Sequence, residues 1–192
     1  FFENQGAGFF SEASDDEGVT RTSAIRFGQD YLSRDEKGIW LLRSQFSFGV
    51  DVFDATTNES PIPDSRFFSW LAQGQRVQRL SKNNLLVIQA DVQLTPDSLV
   101  SSEQFTIGGA QSVRGYRQNA LFADNGFRLS VEDRITVARN KESGASTLQL
   151  APFIDMGAVW NSEDDPDNDL GDNNFLIGLG LGVIWQPISD LN

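Results

Sequence analysis

The chain has 192 residues and a formal net charge of −12, and it contains neither cysteine nor histidine. The missing residue types exclude a disulfide scaffold, zinc sites built from cysteine and histidine, and catalysis by either side chain. The acidic balance argues against nucleic acid as a partner, because phosphate groups repel a negative surface. No segment approaches the roughly 18 uninterrupted apolar residues that a membrane-spanning helix requires.

Seven segments alternate between apolar and polar residues with a period of two, which predicts β-strands. In the clearer segments one face is apolar along the whole length, whereas the other carries arginine, glutamate, aspartate or glutamine at mid-strand. We find no convincing helix. The strands are predicted over residues 19–32, 39–53, 66–80, 85–95, 126–139, 147–160 and 174–186.

The predicted strands are about 10–14 residues long, compared with about 5–6 in soluble sheets. Long strands with one apolar and one polar face are typical of transmembrane β-barrels, which are apolar outside and polar inside. A water-soluble sandwich also alternates, so alternation by itself leaves both architectures open. Trp40, Trp160 and Trp185 lie at strand ends, where they either form the aromatic girdles of a barrel or close a soluble core.

The connections between the predicted strands alternate in length. The short ones span residues 34–38, 81–84 and 140–146, and the long ones span 3–18, 54–65, 95–125 and 161–174. All the long connections except 95–125 are rich in acids and contain no base. Short turns on one side and long loops on the other are typical of outer-membrane barrels, whose long loops face the outside of the cell. The sequence therefore predicts an all-β, antiparallel transmembrane barrel in a bacterial outer membrane.

One acidic segment, residues 165–171, faintly resembles a calcium-binding loop. Its glycine stands one place late, and Leu176 occupies the position at which such a loop requires an acidic ligand. We therefore predict no metal site, and nothing in the sequence calls for a cofactor.

The long connection 95–125 has an unusual tip. A glycine pair, Gly108 and Gly109, is followed by the tetrapeptide Val113-Arg114-Gly115-Tyr116. A connection that only crosses the surface has no evident need for a glycine pair, an apolar valine and a guanidinium close together. A loop that folds back and docks against the protein does need them.

A second motif, Phe153-Ile154-Asp155-Met156-Gly157, lies on the strand predicted over 147–160, with Asp155 on its polar face. With these two motifs the chain resembles the barrel of outer-membrane two-partner secretion transporters of the FhaC/ShlB/HecB (TpsB) type. These haemolysin-activator-like proteins belong to a superfamily that also contains BamA and TamA.

The resemblance implies that the tetrapeptide marks the sixth extracellular loop, which folds into the lumen. It also implies that Arg114 pairs with Asp155 on the inner wall, in a docking motif that includes Phe153 and Gly157. An arginine suits this role because its fork can meet a carboxylate through two parallel hydrogen bonds. Three further lumenal charges either form an ordinary charge ladder or help to hold the loop. These charges are Arg128, Glu132 and Arg134.

The resemblance further implies that residues 1–192 are one part of a larger barrel. The family's barrel has sixteen strands, of which these would be the eighth to the fourteenth, and the residues after Trp185 would form a periplasmic turn. The family's periplasmic POTRA domains, which receive the substrate, are expected outside this segment. Because seven strands cannot close a barrel, we expect an open sheet with two unpaired edges.

The leading function is a pore that secretes an unfolded partner exoprotein across the outer-membrane lipid, without enzymatic activity or a cofactor. A BamA- or TamA-type assembly insertase shares both motifs, although Gln111 and residues 124–128 favour secretion. A simple porin or adhesin barrel explains the alternation but not the loop. A soluble carbohydrate-active enzyme requires paired carboxylates. Nothing in the sequence pairs the acids on the strands, which are Asp91, Glu132, Asp133 and Asp155.

Overall fold

The computed structural model describes residues 2–5, 19–50, 66–141, 143–162, 170 and 174–186. Within these residues the backbone forms eleven strands, and there is no helix long and apolar enough to cross a membrane. The strands are β1 (Phe2–Gln5), β2 (Val19–Thr22), β3 (Ala24–Arg34), β4 (Gly38–Gly49), β5 (Phe68–Arg79), β6 (Asn84–Leu94), β7 (Phe105–Ile107), β8 (Leu121–Ala123), β9 (Asn125–Arg139), β10 (Ser146–Trp160) and β11 (Phe175–Trp185).

Seven of these strands form one sheet in the order β11-β10-β9-β6-β5-β4-β3. Every neighbouring pair is antiparallel. Within this sheet each strand pairs with the next one along the chain. Strands β7 and β8 lie in the connection between β6 and β9 and form a separate hairpin. The sheet is open, with β3 and β11 at its edges, so the predicted fold class is confirmed.

The structure corrects the predicted bounds of the first strand. Residues 19–22 form β2, which pairs with β1, and the strand of the main sheet begins only at Ala24. The second strand ends at Gly49, and the remainder of its predicted length lies mostly outside the described residues. The calcium-like segment, apart from Leu170, and the predicted turn after residue 186 also lie outside them.

The register assigns the side chains of the sheet to two different faces. On one face Arg43, Gln73, Asp91 and Arg128 form a single row across four strands. We call this polar side the inner face. The opposite, outer face is apolar and largely exposed along β11. Exposing such a surface to water is unfavourable by about 25 cal/mol per Å², whereas lipid covers it at no such cost. The division matches a barrel that is polar inside and apolar outside.

Aromatic side chains lie at both ends of the outer face. Trp160 ends β10 on the side of the long connections, whereas Trp40 and Trp185 lie on the side of the short turns. All three are exposed, as membrane-interface girdles require. Sequence reasoning missed Trp70, which stacks on Phe46 at the long-connection end with ring centroids 6.5 Å apart.

One cation is buried on the outer face. Arg76 of β5 is 6% exposed and lies under Trp40, with 5.0 Å between its guanidinium carbon and the ring centroid. It pairs at 2.8 Å with Asp35 in the turn between β3 and β4. The backbone N–H groups of Lys37 and Gly38 each donate to the same carboxylate at 2.8 Å. The hydrogen bond from Arg76, with those from the turn, lowers the pKa of Asp35 to about 2.

We expect Asp35→Asn to lower the thermal unfolding midpoint of the full-length protein in detergent at neutral pH. A carboxyl whose pKa is depressed in the folded state stabilises it above the unfolded pKa, and this stabilisation is lost as pH falls through the folded pKa. The difference in unfolding midpoint between the variant and wild type should therefore be constant above the ordinary aspartate pKa of 3.8. It should shrink below that pH and vanish as the pH falls through the folded-state pKa of about 2. Heat-modifiable gel migration measures the midpoint, and Glu36→Gln in the same turn is the control. A difference that does not change with pH contradicts the prediction.

Candidate functional site: a loop docked on the inner face

The connection between β6 and β9 is a folded loop rather than an extended crossing. Its β7–β8 hairpin carries a tip of residues 108–120. Gly108 and Gly109 have positive φ angles of 106° and 98°. A Cβ on Gly108 would lie 2.7 Å from the Cβ of Ala120. The glycine pair therefore lets the chain turn sharply where the hairpin ends and the tip begins.

The loop buries apolar side chains against the inner face. Val113, directly before Arg114, is fully buried. Burial of a valine side chain contributes about 1.5–3 kcal/mol. Val113 therefore helps to hold its neighbour Arg114 against the inner face. The cluster joins Phe105, Ile107, Val113 and Ala123 of the loop to Val159 of β10 and Leu176 of β11.

Arg114 meets Asp155 of β10 through two parallel side-chain hydrogen bonds. Its Nε donates to Oδ2 at 2.6 Å, and its Nη2 donates to Oδ1 at 2.8 Å. The backbone N–H of Arg114 also donates to Oδ2, at 3.1 Å, and the Ser130 hydroxyl donates to Oδ1 at 2.6 Å. The Asp155 side chain is 0% exposed. Each of its carboxylate oxygens thus accepts two hydrogen bonds, which offsets the loss of water.

A second carboxylate completes the surroundings of the guanidinium. Nη1 of Arg114 donates to Glu132 at 2.5 Å, and Nε of Arg134 donates to the other oxygen of Glu132 at 2.8 Å. Two arginines and two carboxylates therefore form a unit without net charge, which we call the Arg114 cluster. The hydrogen bonds to Asp155, against the opposing effect of burial, raise the pKa of Arg114 above its ordinary value, so it remains charged.

The residues two places either side of Asp155 shape the surface under the loop. The ring of Phe153 lies 3.4 Å from the guanidinium carbon of Arg114, a stacked cation–π contact. Gly157 leaves room for Ile107, whose Cγ2 would lie 3.3 Å from a Cβ at that position. Because residues two apart on a strand share a face, one short motif supplies the ring, the carboxylate and the gap.

The edge strand β11 meets the backbone of the tip. A Cβ on Gly178 would lie 2.2 Å from the carbonyl oxygen of Arg114. The Tyr116 hydroxyl donates to the Ile177 carbonyl at 3.0 Å. Between these two contacts Gly115 has a φ of 97°, a left-handed conformation that favours glycine. All four residues of the tetrapeptide therefore take part in placing the loop.

Arg128 does not join the Arg114 cluster. It pairs with Asp91 of β6 and donates to the Gln111 carbonyl in the loop. In the structure Arg128 is therefore separate from the pair formed by Glu132 and Arg134. Glu132 binds the loop arginine directly, Arg134 supports Glu132, and Arg128 contacts a different part of the loop.

Sequence reasoning missed a second attachment, at the far side of the sheet. Arg26 of β3 donates to both carboxylate oxygens of Glu103 in the loop, at 2.6 and 2.8 Å. Since β3 and β11 are opposite edges of the sheet, the loop contacts both edge strands. No local pattern signals this pair, because its members are 77 positions apart.

The base of the loop is held by a buried acid that sequence reasoning did not interpret. Asp124 is 1% exposed and accepts the backbone N–H groups of Leu99 and Ser162, at 2.8 and 3.0 Å. Its neighbour Asn125 accepts the N–H of Thr95 at 2.8 Å. The sequence signal for this site is Asp-Asn-Gly directly before a strand. Asp124 and Asn125 join three chain segments at one point.

The acids considered for an enzyme have other partners in the structure. Asp91, Glu132 and Asp155 each form an ion pair with an arginine, as described above. Asp133 lies on the outer face, where it accepts a hydrogen bond from Asn84 at 3.0 Å. Among the described residues no group of acids is arranged to hold a metal ion. The arrangement is suited to holding a loop rather than to acid–base chemistry.

The family model for the haemolysin secretion/activation protein ShlB/FhaC/HecB matches residues 6–184 of the chain. The chain belongs to this family. Membership confirms the resemblance drawn from the two motifs.

Two curated relatives of similar sequence are outer membrane transporters named CdiB. The protein from Escherichia coli O6:K15:H31 (strain 536 / UPEC) is 25% identical over 149 residues, which are 76% of this chain and 25% of that protein. The other, from Escherichia coli, is 23% identical over 149 residues. The chain thus spans about a quarter of the length of these relatives. A solved structure of CdiB from Escherichia coli has the same fold, with a TM-score of 0.72 and 20% identity over 90% of this chain and 31% of that chain.

We expect Gly178→Ala to displace the loop tip, because the new Cβ would lie 2.2 Å from the Arg114 carbonyl oxygen. Gly182→Ala is the matched control, since a Cβ there meets Ala151 at an ordinary 3.4 Å. A single cysteine replacing the half-buried Ser112 of the tip, in a cysteine-free full-length protein, reports on the tip through its rate of labelling by a maleimide. Labelling should accelerate with Gly178→Ala and not with Gly182→Ala. Equal rates in both variants would show that the close approach does not hold the tip.

Proposed function

We propose that this chain is the loop-bearing part of the pore of an outer-membrane two-partner secretion transporter, through which an unfolded exoprotein leaves the cell. The observation that carries the proposal is the Arg114 cluster, which holds a folded loop against the polar inner face of an open sheet. Membership of the ShlB/FhaC/HecB family and the similarity to proteins named outer membrane transporters support the same function.

The inner face near the docked loop suits the passage of an unfolded polypeptide. Its charges are paired with one another, and amide side chains such as Gln75 and Gln89 lie between them. A wall of this kind hydrogen-bonds to water and to a peptide backbone without offering a wide apolar surface that would retain the chain. The mechanism requires no catalytic group, and folding of the exoprotein outside the cell supplies the driving force.

In the proposed transporter, residues 1–192 form part of the barrel, with the outer face against outer-membrane lipid. POTRA domains elsewhere in the full-length protein deliver the exoprotein to the periplasmic side, which is the side of the short turns. A BamA- or TamA-type insertase is the alternative within the superfamily. It is disfavoured because the matching family model is that of secretion proteins.

We expect Arg114→Ala in the full-length transporter to abolish most secretion while the barrel remains folded. Removing the cation leaves the buried Asp155 unpaired and leaves Glu132 with Arg134 as its partner, and breaking a buried pair in this way costs about 3 kcal/mol or more. That corresponds to roughly a 100-fold shift of the docking equilibrium. Secretion is measured as exoprotein in the medium, normalised to the transporter that shows heat-modifiable migration.

The double mutant Arg114→Ala/Asp155→Ala should be little worse than either single mutant, because the two residues act as one unit. Arg43→Ala is the control, since this inner-face arginine makes a long, exposed pair with Asp30 at 3.7 Å and a long, exposed hydrogen bond to Gln45 at 3.4 Å. Additive losses in the double mutant, or an equal loss with Arg43→Ala, would argue that the cluster has no specific role.

A further inference from the structure

The docked loop rejoins the sheet at residues that lie outside the Arg114 cluster. β9 begins at Asn125, and Asp124 directly before it is the last residue of the loop. Asp124, Asn125 and Gly126 are all buried, and so is Gln93 of the neighbouring strand β6. We call these four residues the base cluster. It shares no residue with the Arg114 cluster.

Neutral donors hold the Asp124 carboxylate. Its Oδ1 accepts the backbone N–H of Leu99 at 2.8 Å and the side-chain amide of Gln104 at 3.3 Å. Its Oδ2 accepts the backbone N–H of Ser162, two residues after the end of β10, at 3.0 Å. Within the described residues no cation pairs with it. A buried carboxylate is unfavourable unless hydrogen bonds replace its water, so this one fixes the start of the loop against the end of β10.

Two further contacts set the direction in which the β7–β8 hairpin leaves the sheet. The side-chain amide of Gln93 donates to the carbonyls of Glu103 and Asp124, at 2.9 and 3.0 Å, and so joins the two arms of the hairpin. Phe105 begins β7, and its ring fills the space above Gly126, where a Cβ would overlap it. The two arms therefore leave the sheet with a fixed spacing and orientation.

The hairpin connects this orientation to the tip. Ala123, next to Asp124, is fully buried and belongs to the same apolar cluster as Phe105 and Val113. Val113 directly precedes Arg114. Because close-packed side chains transmit strain, a displacement at the base also displaces the guanidinium.

We propose that Asp124 is a positioning residue for the docked loop. The base cluster presets the hairpin in the orientation in which Arg114 meets Asp155, so the tip docks as a preformed unit. Without the base cluster, docking of the tip must also order the hairpin, and that loss of conformational entropy opposes docking. The inference concerns the loop that the proposed secretion function uses, and it rests on that function only for its effect on secretion.

Asp124→Asn in the full-length protein tests the positioning role. An amide has one accepting oxygen, so its NH2 group faces the N–H of either Leu99 or Ser162. The tip is followed through the rate at which a maleimide labels a cysteine replacing the half-buried Ser112, in an otherwise cysteine-free protein. Labelling should accelerate about tenfold, which corresponds to about 1.4 kcal/mol and is in the range for one buried donor left without its acceptor.

Asp97→Asn is the matched control, because this acid lies in the same loop. Within the described residues its carboxylate accepts one hydrogen bond, at Oδ2 from the backbone N–H of Phe68 at 2.8 Å. An amide oxygen keeps that bond, so labelling should not change. Equal labelling rates in Asp124→Asn and wild type, or an equal acceleration in Asp97→Asn, overturn the inference.

A second comparison separates positioning from a general contribution to stability. In an Arg114→Ala background the tip has already lost its attachment, so Asp124→Asn should accelerate labelling by much less than tenfold. Acceleration by the same factor in both backgrounds also overturns the inference, because Asp124 would then act without the arginine. If Asp124→Asn does not fold, Gln93→Met takes its place under the same criteria, since it keeps the side-chain volume and removes the two donated hydrogen bonds.

Labelling requires no exoprotein, so a failure of this inference is distinguishable from a failure of the proposed function. A wild-type transporter that secretes its exoprotein, together with unchanged labelling in Asp124→Asn, refutes the positioning role alone. A folded wild-type protein that secretes nothing refutes the proposed function, and the labelling rates still decide the positioning role.

Discussion

The arrangement of the loop depends on one guanidinium held between two carboxylates. Asp155 has no exposure to water, and a carboxylate in that position is costly unless a cation and several hydrogen bonds replace its solvent. Arg114 provides both, because its planar fork meets Asp155 with two donors while a third reaches Glu132. The wall and the loop are therefore complementary, since each would leave unpaired charge without the other.

This cluster determines which small residues the surroundings need. The guanidinium lies on the ring of Phe153, and that ring occupies the space above Gly180. The carbonyl of Arg114 approaches Gly178 so closely that no side chain fits there. The inner face of β11 thus requires glycine at these positions for steric reasons. The alternation of glycine with apolar residues in the sequence does not reveal this requirement.

Much of this could be predicted from the sequence, because a strand has a period of two. Alternation identified all seven strands of the main sheet, and parity alone placed Asp155 on the polar face, where a loop arginine can reach it. The pairing itself came from two short motifs and a family resemblance. The split between β2 and β3 and the short β7–β8 hairpin were missed, because segments of three or four residues carry too little periodicity.

The remaining contacts of the site depend on the path of the loop in three dimensions. The approach of Glu103 to Arg26 follows from the order of strands in the sheet and from the loop crossing its inner face, neither of which has a local sequence pattern. The role of Asp124 is likewise set by three segments that meet only after folding. In the sequence Glu103 looks like an ordinary loop acid, and the Asp-Asn-Gly pattern that begins at Asp124 does not show which segments it joins.

The two attachments of the loop to the sheet, at β10 and at β3, differ in strength. This difference indicates which attachment opens first. At β10 the attachment combines a fully buried valine, a fully buried carboxylate and a neutral set of charges. At β3 the Arg26–Glu103 pair has an arginine side chain that is 36% exposed, and exposed pairs contribute about 0–1 kcal/mol. The attachment at β3 is therefore the weaker of the two, because a broken pair there is rehydrated at little cost. Release at β10 would leave the buried Asp155 without its cation, so we expect the attachment at β3 to open before the attachment at β10.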